Sequence, residues 1–150
     1  MRLRGSSRSS GGSEIKIVAD TNVYISALNF GGVADEVLRL GRRGRIRIFI
    51  SQPILDEIEG VLMRKFGWSA RRAREAIGTI KDYVEVVHPE VKFDLIKDDE
   101  ADNRVLECAF EADVDVIVTG DRHLRRLGEF RGIVILSPGE LLRALGEGGG

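Results

Sequence analysis

Short apolar runs alternate with longer segments of helical period along most of this chain, and no other feature constrains the fold as strongly. The most apolar runs are IKIVA at 15–19, VDVIVTGD at 114–121 and GIVILS at 132–137. Runs of this kind are typical of strands that are covered on both faces. Because strands and helical segments alternate, we predict a parallel sheet with helices on both faces. The predicted class is α/β.

Two further runs complete a sheet of about five strands. RIRIFIS at 45–51 alternates arginines with isoleucines, which predicts a strand with one polar face near a sheet edge. VEVVHP at 84–89 predicts a short strand that ends at a proline. Helical period predicts helices at 23–28, 33–43, 52–66, 68–83, 99–112, 122–130 and 138–145.

Local signals mark the ends of several predicted helices. Ser51 is expected to cap the helix that follows it, and Ser137 with Glu140 forms a capping-box pattern with a proline at the first helical position. In the helix at 99–112, Val105 and Phe110 are expected on the buried side. These signals divide the chain into elements with short connections, as an α/β domain requires.

The composition predicts one globular domain at 14–146. A chain of 150 residues with 43% hydrophobic residues is long enough to bury a core. The Gly-rich ends, 1–13 and 147–150, are predicted to be disordered tails. No apolar run approaches the roughly 20 residues that span a bilayer, and the first 13 residues lack the apolar segment of a secretory signal. We therefore expect a cytoplasmic protein that makes no membrane contact.

The single cysteine, Cys108, excludes an intramolecular disulfide and a cysteine metal cluster. It lies in the apolar context VLECAF, which favours a buried core position over a nucleophile. The sequence therefore directs the search for chemistry away from sulfur.

Charge is distributed unevenly along the chain. The net charge of -1 argues against a protein that coats nucleic acid without selectivity. Residues 39–74 nevertheless carry ten Lys or Arg against three acids, whereas residues 75–115 carry thirteen acids against four bases. Such a distribution suits a phosphate-binding rim beside an acidic pocket, and it equally suits solvated helix faces.

Four carboxylates lie at matching positions in the predicted fold. Asp20 and Asp121 each follow a predicted strand, and Glu57 and Asp102 lie near the starts of helices. Ligands of open parallel sheets bind at the carboxyl ends of the strands, where these positions converge. Taken singly, Asp20 and Asp121 could be helix N-caps and the other two could be solvated helix residues. Their shared placement favours a common site.

Carboxylates that converge at one edge repel one another unless a cation neutralises them. Oxygen ligands without cysteine indicate Mg²⁺ or Mn²⁺ rather than zinc. Asn22 and Thr119 lie beside the acids and are candidates to hold ligand waters or to orient a carboxylate. His123 is two residues beyond Asp121, and we expect it to have a structural or supporting role. His88 is expected at the surface.

In order and spacing, four segments resemble the PIN-domain nucleases, and in particular the VapC-like toxins of toxin–antitoxin pairs. The segments are IVADTNVYISAL, SQPILDEIEGVL, DDEADNRVLECAFEADVDVIVTGDRHLRRL and IVILSPGELL. The similarity covers residues 15 to about 145. It implies a three-layer α/β/α sandwich with a parallel sheet in the order 3-2-1-4-5.

The resemblance also implies a metal-dependent ribonuclease site. By motif, its four acids are Asp20, Glu57, Asp102 and Asp121, and the first, third and fourth of these would hold Mg²⁺ or Mn²⁺. Asn22 and Thr119 match the polar residues that accompany the acids. Relatives often carry a further acid in the third motif where this chain has Ala101, so Asp99 is an additional candidate. Glu59 is a lesser rival to Glu57, because it points to another side of the helix.

The implied reaction is attack of a metal-activated water on an RNA phosphodiester. Arg42, Arg43 and Arg71 are candidates to bind the RNA backbone. The family also implies single-stranded or looped RNA as substrate, a cognate antitoxin as partner, and a homodimer.

Three alternatives stay open at this point. A haloacid-dehalogenase-like phosphatase would need a second acid where Asn22 stands. A PIN-like module that binds RNA or protein without cleaving would be favoured by loss of acids, and all four are present. A housekeeping RNA-processing nuclease would use the same site as a toxin.

Overall fold

The computed structural model describes residues 14–96 and 99–146. Both predicted tails, 1–13 and 147–150, lie outside the described residues. Within the described part of the chain, no helix is long and apolar enough to cross a membrane.

Six strands in the described residues form one sheet in the order β3-β2-β1-β4-β6-β5. Every neighbouring pair is parallel except β5 with β6. The predicted order 3-2-1-4-5 is confirmed, with β6 as the fifth predicted strand. The strands are β1 Lys16–Ala19, β2 Arg47–Ser51, β3 Val84–Val87, β4 Val116–Val118, β5 Glu129–Phe130 and β6 Ile133–Leu136.

Helices flank this sheet, so the predicted α/β/α class is also confirmed. Helix α3 packs against α1, α4 and α5, and α5 crosses β1 and β2. The helices of the described residues are α1 Thr21–Phe30, α2 Gly32–Arg42, α3 Gln52–Phe66, α4 Ala70–Lys81, α5 Glu100–Ala112, α6 Arg122–Leu127 and α7 Pro138–Ala144.

The centre of the sheet is covered on both faces, as its apolar sequence predicts. Ile17 and Val18 of β1 and Ile117 of β4 are all fully buried. Burial of side chains that point to opposite faces explains why these strands show no polar alternation. Cys108 is fully buried in the same core, as predicted, and burial raises the pKa of its thiol to about 12.

Strand β2 lies between β3 and β1, next to the edge strand β3, so its predicted position near a sheet edge is confirmed. The predicted polar face is wrong, because within β2 it is limited to Arg47, and Phe49 and Ser51 on that side are buried. The Arg47 guanidinium folds against the Phe49 ring, 5.1 Å from its centroid, and pairs with Glu85 of β3. Arg45, the other arginine of the alternation, lies before the strand begins, which explains the misleading pattern.

The segment after α6 corrects another prediction. The helix predicted at 122–130 ends at Leu127, and Glu129–Phe130 forms β5, an antiparallel partner of β6. The turn between these strands places Arg131 at φ 52° and Gly132 at φ 84°. Gly128 stops the helix at φ 69°, a conformation that favours glycine.

Two further local predictions have mixed outcomes. Ser51 occupies the N-cap position of α3, but its buried hydroxyl makes no capping hydrogen bond. The capping box of Ser137 and Glu140 is present at α7. On α5, Val105 is buried as predicted, whereas Phe110 is 40% exposed. The Phe110 prediction was wrong because this ring packs edge-on against Phe93 outside the main core.

Candidate metal centre

Asp20 joins the end of β1 to the start of α1. Its Oδ1 accepts a hydrogen bond from the Val23 backbone N–H at 3.1 Å, so it is the N-cap of the helix. Its Oδ2 accepts a hydrogen bond from the Thr119 hydroxyl. Burial raises the pKa of Asp20 to about 6, against the lowering effect of these hydrogen bonds, and the Asp121 charge raises it further.

Thr119 connects two of the predicted acids. Parallel pairing of Ala19 with Val118 brings the ends of β1 and β4 side by side. The fully buried Thr119 hydroxyl donates to Asp20 and accepts the backbone N–H of Asp121 at 2.9 Å. One hydroxyl therefore fixes the position of both acids relative to each other, which suits the orienting role predicted for it.

Asp121 and Asp99 are also helix N-caps. Oδ1 of Asp121 accepts the N–H groups of His123 and Leu124, at 2.8 and 3.1 Å, at the start of α6. Oδ1 of Asp99 accepts the N–H of Asp102 at 3.1 Å, at the start of α5. Each cap is made by one carboxylate oxygen, so the other is available to a ligand.

Asp102 differs from the other acids because it lies inside a helix, in the first turn of α5. It is 6% exposed, and its buried Oδ2 has no hydrogen-bond partner among the described residues. Burial, together with the neighbouring Asp121 and Asp99 carboxylates, raises the pKa of Asp102 to about 8. A buried oxygen without a partner, beside two other carboxylates, is what a divalent cation would satisfy.

Asp99, Asp102, Asp121 and His123 each offer a ligand atom, and these atoms lie within 4.8 Å of one another. The Nδ1 atom of His123 is 3.9 Å from an oxygen of Asp99 and from one of Asp121. Carboxylate oxygens dominate this set, which fits Mg²⁺ or Mn²⁺, and an imidazole nitrogen is more compatible with Mn²⁺. The donor set therefore fits the predicted metals.

A cavity of about 170 Å³, which we call the acidic cavity, collects the predicted site residues. Asp20, Asp102 and Asp121 belong to its lining, and the half-buried Glu57 of α3 also lines it. Asn22 and Asp99 complete the set of predicted residues in this lining. Glu59, the rival of Glu57, does not belong to the lining. All four predicted acids therefore surround one space.

The predicted RNA-binding arginines lie elsewhere. Arg42 forms an ion pair with Asp35 at 3.1 Å and lies over the Tyr83 ring, and Arg71 forms an ion pair with Glu75 at 3.6 Å. Arg43 is exposed at the end of α2. None of the three lines the acidic cavity.

Two residues were missed or undervalued by the sequence reasoning. Lys65 lines the acidic cavity, and its signal was the spacing from Glu57 through Val61, which repeats every four residues along one side of α3. His123 was expected to be only supporting, because a hard cation prefers oxygen ligands, and the structure places its Nδ1 atom 3.9 Å from an oxygen of Asp99. The contact between them depends on the tertiary approach of α5 and α6.

A sequence comparison identifies one relative in Methanocaldococcus jannaschii. The uncharacterized protein MJ1680 is 31% identical over 116 residues, which is 74% of each chain.

Solved structures share the fold at lower identity. VapBC2 from Rickettsia felis, bound to a promoter DNA fragment, has a TM-score of 0.59 and 15% identity, and the match covers 81% of this chain and 97% of that chain. VapC20 from Mycobacterium tuberculosis, a sarcin–ricin loop cleaving toxin, has a TM-score of 0.56 and 18% identity, with 79% of this chain and 98% of that chain covered. PAE2754 from Pyrobaculum aerophilum has a TM-score of 0.57 and 15% identity, with 92% of this chain and 94% of that chain covered.

The family comparison covers most of the described residues. Residues 16–123 match the family model of the PIN domain, a span that includes β1 through the start of α6 and all four predicted acids. Since this match extends over more than half of the chain, the chain belongs to the PIN domain family.

Proposed function

We propose that this protein is a metal-dependent endoribonuclease and the toxin of a toxin–antitoxin pair. The observation that carries the proposal is the acidic cavity, which is lined by Asp20, Glu57, Asp102 and Asp121, and a buried oxygen of Asp102 has no hydrogen-bond partner among the described residues. Carboxylates in this arrangement are held together at a cost that a divalent cation offsets.

Asp20, Asp102 and Asp121 are the proposed ligands of Mg²⁺ or Mn²⁺, with Asp99 and His123 beside them. Such an ion, when bound, activates water and neutralises charge on the phosphate. The Thr119 hydroxyl donates to the Asp20 carboxylate and accepts the backbone N–H of Asp121, which holds the two acids in a fixed relative position. Asn22, exposed at the mouth of the cavity, orients the substrate or a ligand water with its amide.

Glu57 is the proposed general base. It lies in α3, in the lining shared with the three ligands, and a carboxylate oxygen there can accept the proton of the attacking water. The ammonium group of Lys65, two turns along the same helix, is placed to attract the phosphate. The buried thiol of Cys108 takes no part, since its fully buried position keeps it from substrate.

RNA is the proposed substrate. VapC20 is a sarcin–ricin loop cleaving toxin, and the shared fold supports a nucleic-acid substrate of this kind for this chain. Single-stranded or looped RNA suits a narrow acidic cavity, because unpaired nucleotides can be splayed to bring one phosphate into it. A duplex cannot enter in this way.

Protein partners are part of the proposal. Phe30, which is 76% exposed, and Phe66 pack edge to face at 6.4 Å, and Val33 and Met63 are also exposed. A cluster of exposed large apolar side chains is typical of an interaction surface. We propose that a second copy of the chain or a cognate antitoxin covers it, in the cytoplasm. A neighbouring reading frame for a small DNA-binding protein would favour the toxin role, and its absence would favour a housekeeping RNA-processing role.

The direct test incubates the purified protein with 5′-labelled single-stranded RNA and Mg²⁺, Mn²⁺ or EDTA. Cleavage is expected with either metal and not with EDTA, and Asp20→Asn and Asp121→Asn should each abolish it. Asp82→Asn is the matched control, since it removes an exposed carboxylate at the end of α4. Cleavage that survives EDTA or both site substitutions would refute the mechanism. RNA that is bound but never cut would favour a non-cleaving binding module.

A further inference from the structure

Two more cavities adjoin the acidic cavity, one on each side. The α5 cavity, about 310 Å³, shares Thr21, Glu57 and Ala101 with it. The α6 cavity, about 510 Å³, shares Asn22 and Asp121 with it. The α5 and α6 cavities share no lining residue with each other and each shares residues with the acidic cavity, and we call the three together the groove.

The α5 cavity combines apolar and cationic walls. Pro53 and Ile54 provide apolar surface, and Lys92 and Arg104 provide positive charge beside the carboxylates of Glu57 and Glu100. The Arg104 guanidinium is fixed by Glu107 at 2.8 Å and by the Phe93 carbonyl at 3.2 Å. The exposed Lys92 pairs with no carboxylate among the described residues, so its ammonium group is the one available to an anion.

The α6 cavity has the same two properties. Val33, Ala34 and Pro138 provide its apolar surface. Arg122, the first residue of α6, is exposed and forms no ion pair with any residue in 14–96 or 99–146. Each flanking cavity therefore presents one unpaired cation beside apolar walls.

Many other arginines of the described chain are already paired. Arg39 and Arg42 bind Asp35, Arg47 binds Glu85, and Arg125 binds Glu140. An ion-paired cation contributes less to an incoming phosphate than an unpaired one, because its charge is already partly neutralised. The unpaired cations along the groove are Lys92, Lys65 and Arg122.

We propose that the groove is the path of a single nucleic-acid strand of about three nucleotides, resting on the proposed ribonuclease function. The central phosphate lies at the acidic cavity, and the flanking nucleotides occupy the α5 and α6 cavities. Their bases pack on the apolar walls, and Lys92 and Arg122 bind the flanking phosphates. Volumes near and above 300 Å³ are in the range of cavities that hold small ligands, and each is larger than the acidic cavity.

The proposal assigns substrate contacts to residues that differ from the arginines predicted from sequence. Ala101 belongs to the lining of both the acidic and the α5 cavities and contributes only a methyl group. The boundary already carries the shared Glu57 carboxylate, and an acid at position 101 would add a second one. A phosphate that passes Ala101 therefore meets less repulsion than it would with a carboxylate at that position.

The test measures binding of a fluorescent single-stranded RNA by anisotropy between 50 and 300 mM salt. All proteins carry Asp20→Asn, so that the RNA is not cut in Mg²⁺. Lys92→Gln and Arg122→Gln should each weaken binding. Each should also reduce the salt slope, which is the magnitude of the slope of log binding constant against log salt concentration, by about 0.7, the contribution of one phosphate contact on a single strand. Lys81→Gln and Arg74→Gln are matched controls, since both residues are exposed on α4 and line none of the three cavities, and they should leave the slope unchanged.

Each outcome separates the groove from the nuclease proposal. Equal effects of the control and groove substitutions would overturn the groove. If RNA binding depends on Lys92 and Arg122 but the wild-type protein never cuts RNA, the groove proposal is supported and the ribonuclease proposal is overturned. If the Asp20→Asn protein without further substitutions binds no single-stranded RNA, both the groove proposal and the ribonuclease proposal are overturned. Equal binding of DNA with the same sequence would keep the groove but remove its preference for RNA, since only RNA offers a 2′-hydroxyl.

Discussion

Asp102→Asn tests how much repulsion the metal-free acidic cavity stores. In the folded protein the pKa of Asp102 is raised to about 8 by burial and by the Asp121 and Asp99 carboxylates. In the unfolded chain the same group titrates near about 3.9. The folded state therefore binds more protons than the unfolded state between these two values. Stability falls as pH rises through this window, and it is not recovered above it.

The magnitude follows from the width of the window. Each pH unit within it costs up to about 1.4 kcal/mol, so the step from pH 5 to pH 8 has a ceiling of roughly 4 kcal/mol. Carboxylates that share a proton and admit water relax part of this cost, and we expect ~2 kcal/mol, equivalent to roughly 4–8 °C in Tm for a chain of this size. Asparagine keeps the shape of Asp102 without its charge, so the substitution should remove most of this loss.

The assay is thermal unfolding in EDTA at pH 5, 6, 7 and 8. Wild type should lose stability toward pH 8, the Asp102→Asn curve should be flatter, and the difference between the two should be smallest at pH 5. Mn²⁺ should raise the Tm of wild type most at pH 8 and that of Asp102→Asn little at any pH. The control Asp82→Asn removes an exposed carboxylate and should follow wild type. Parallel curves for wild type and Asp102→Asn would refute the reasoning.

Two further predictions concern a hydroxyl and an exposed ring. Thr119→Val removes the hydrogen bonds to Asp20 and Asp121 with little change in side-chain shape. It should weaken Mn²⁺ binding by about tenfold or more in a calorimetric titration. An unchanged affinity for Mn²⁺ would show that the hydroxyl does not position the ligands. Phe30→Ser should leave Tm nearly unchanged, because the ring is 76% exposed, while light scattering shows a shift from dimer to monomer. A wild type that is already a monomer would exclude a second copy as the partner.

The sheet could be predicted because its signals are local. Buried parallel strands require apolar side chains on both faces, and Ile17, Val18 and Ile117 show this directly in the sequence. The positions of Asp20 and Asp121 follow from the same rule, since residues after parallel strands meet at one edge. The strand order itself came from the resemblance to the family, because local pattern does not determine which strands are neighbours.

The elements that could not be predicted depend on tertiary contacts. Strand β5 has two residues, too few for a period, and exists because β6 offers an antiparallel edge. Phe110 has the spacing of a core residue on α5 but packs on Phe93, which reaches it from the connection between β3 and α5. Lys92 and Arg122 form part of one groove only after separate cavities meet at the acids, and no spacing along the chain encodes that meeting.

The sequence left open whether Asp20 and Asp121 are helix caps or metal ligands. The two roles do not exclude each other. Asp20, Asp99 and Asp121 each cap a helix with one oxygen, so the backbone N–H groups hold these carboxylates at the cavity and partly offset their charge. Asp102 caps no helix, and its buried Oδ2 has no hydrogen-bond partner among the described residues. The electrostatic cost is therefore concentrated on Asp102, which is where a cation would stabilise the fold most.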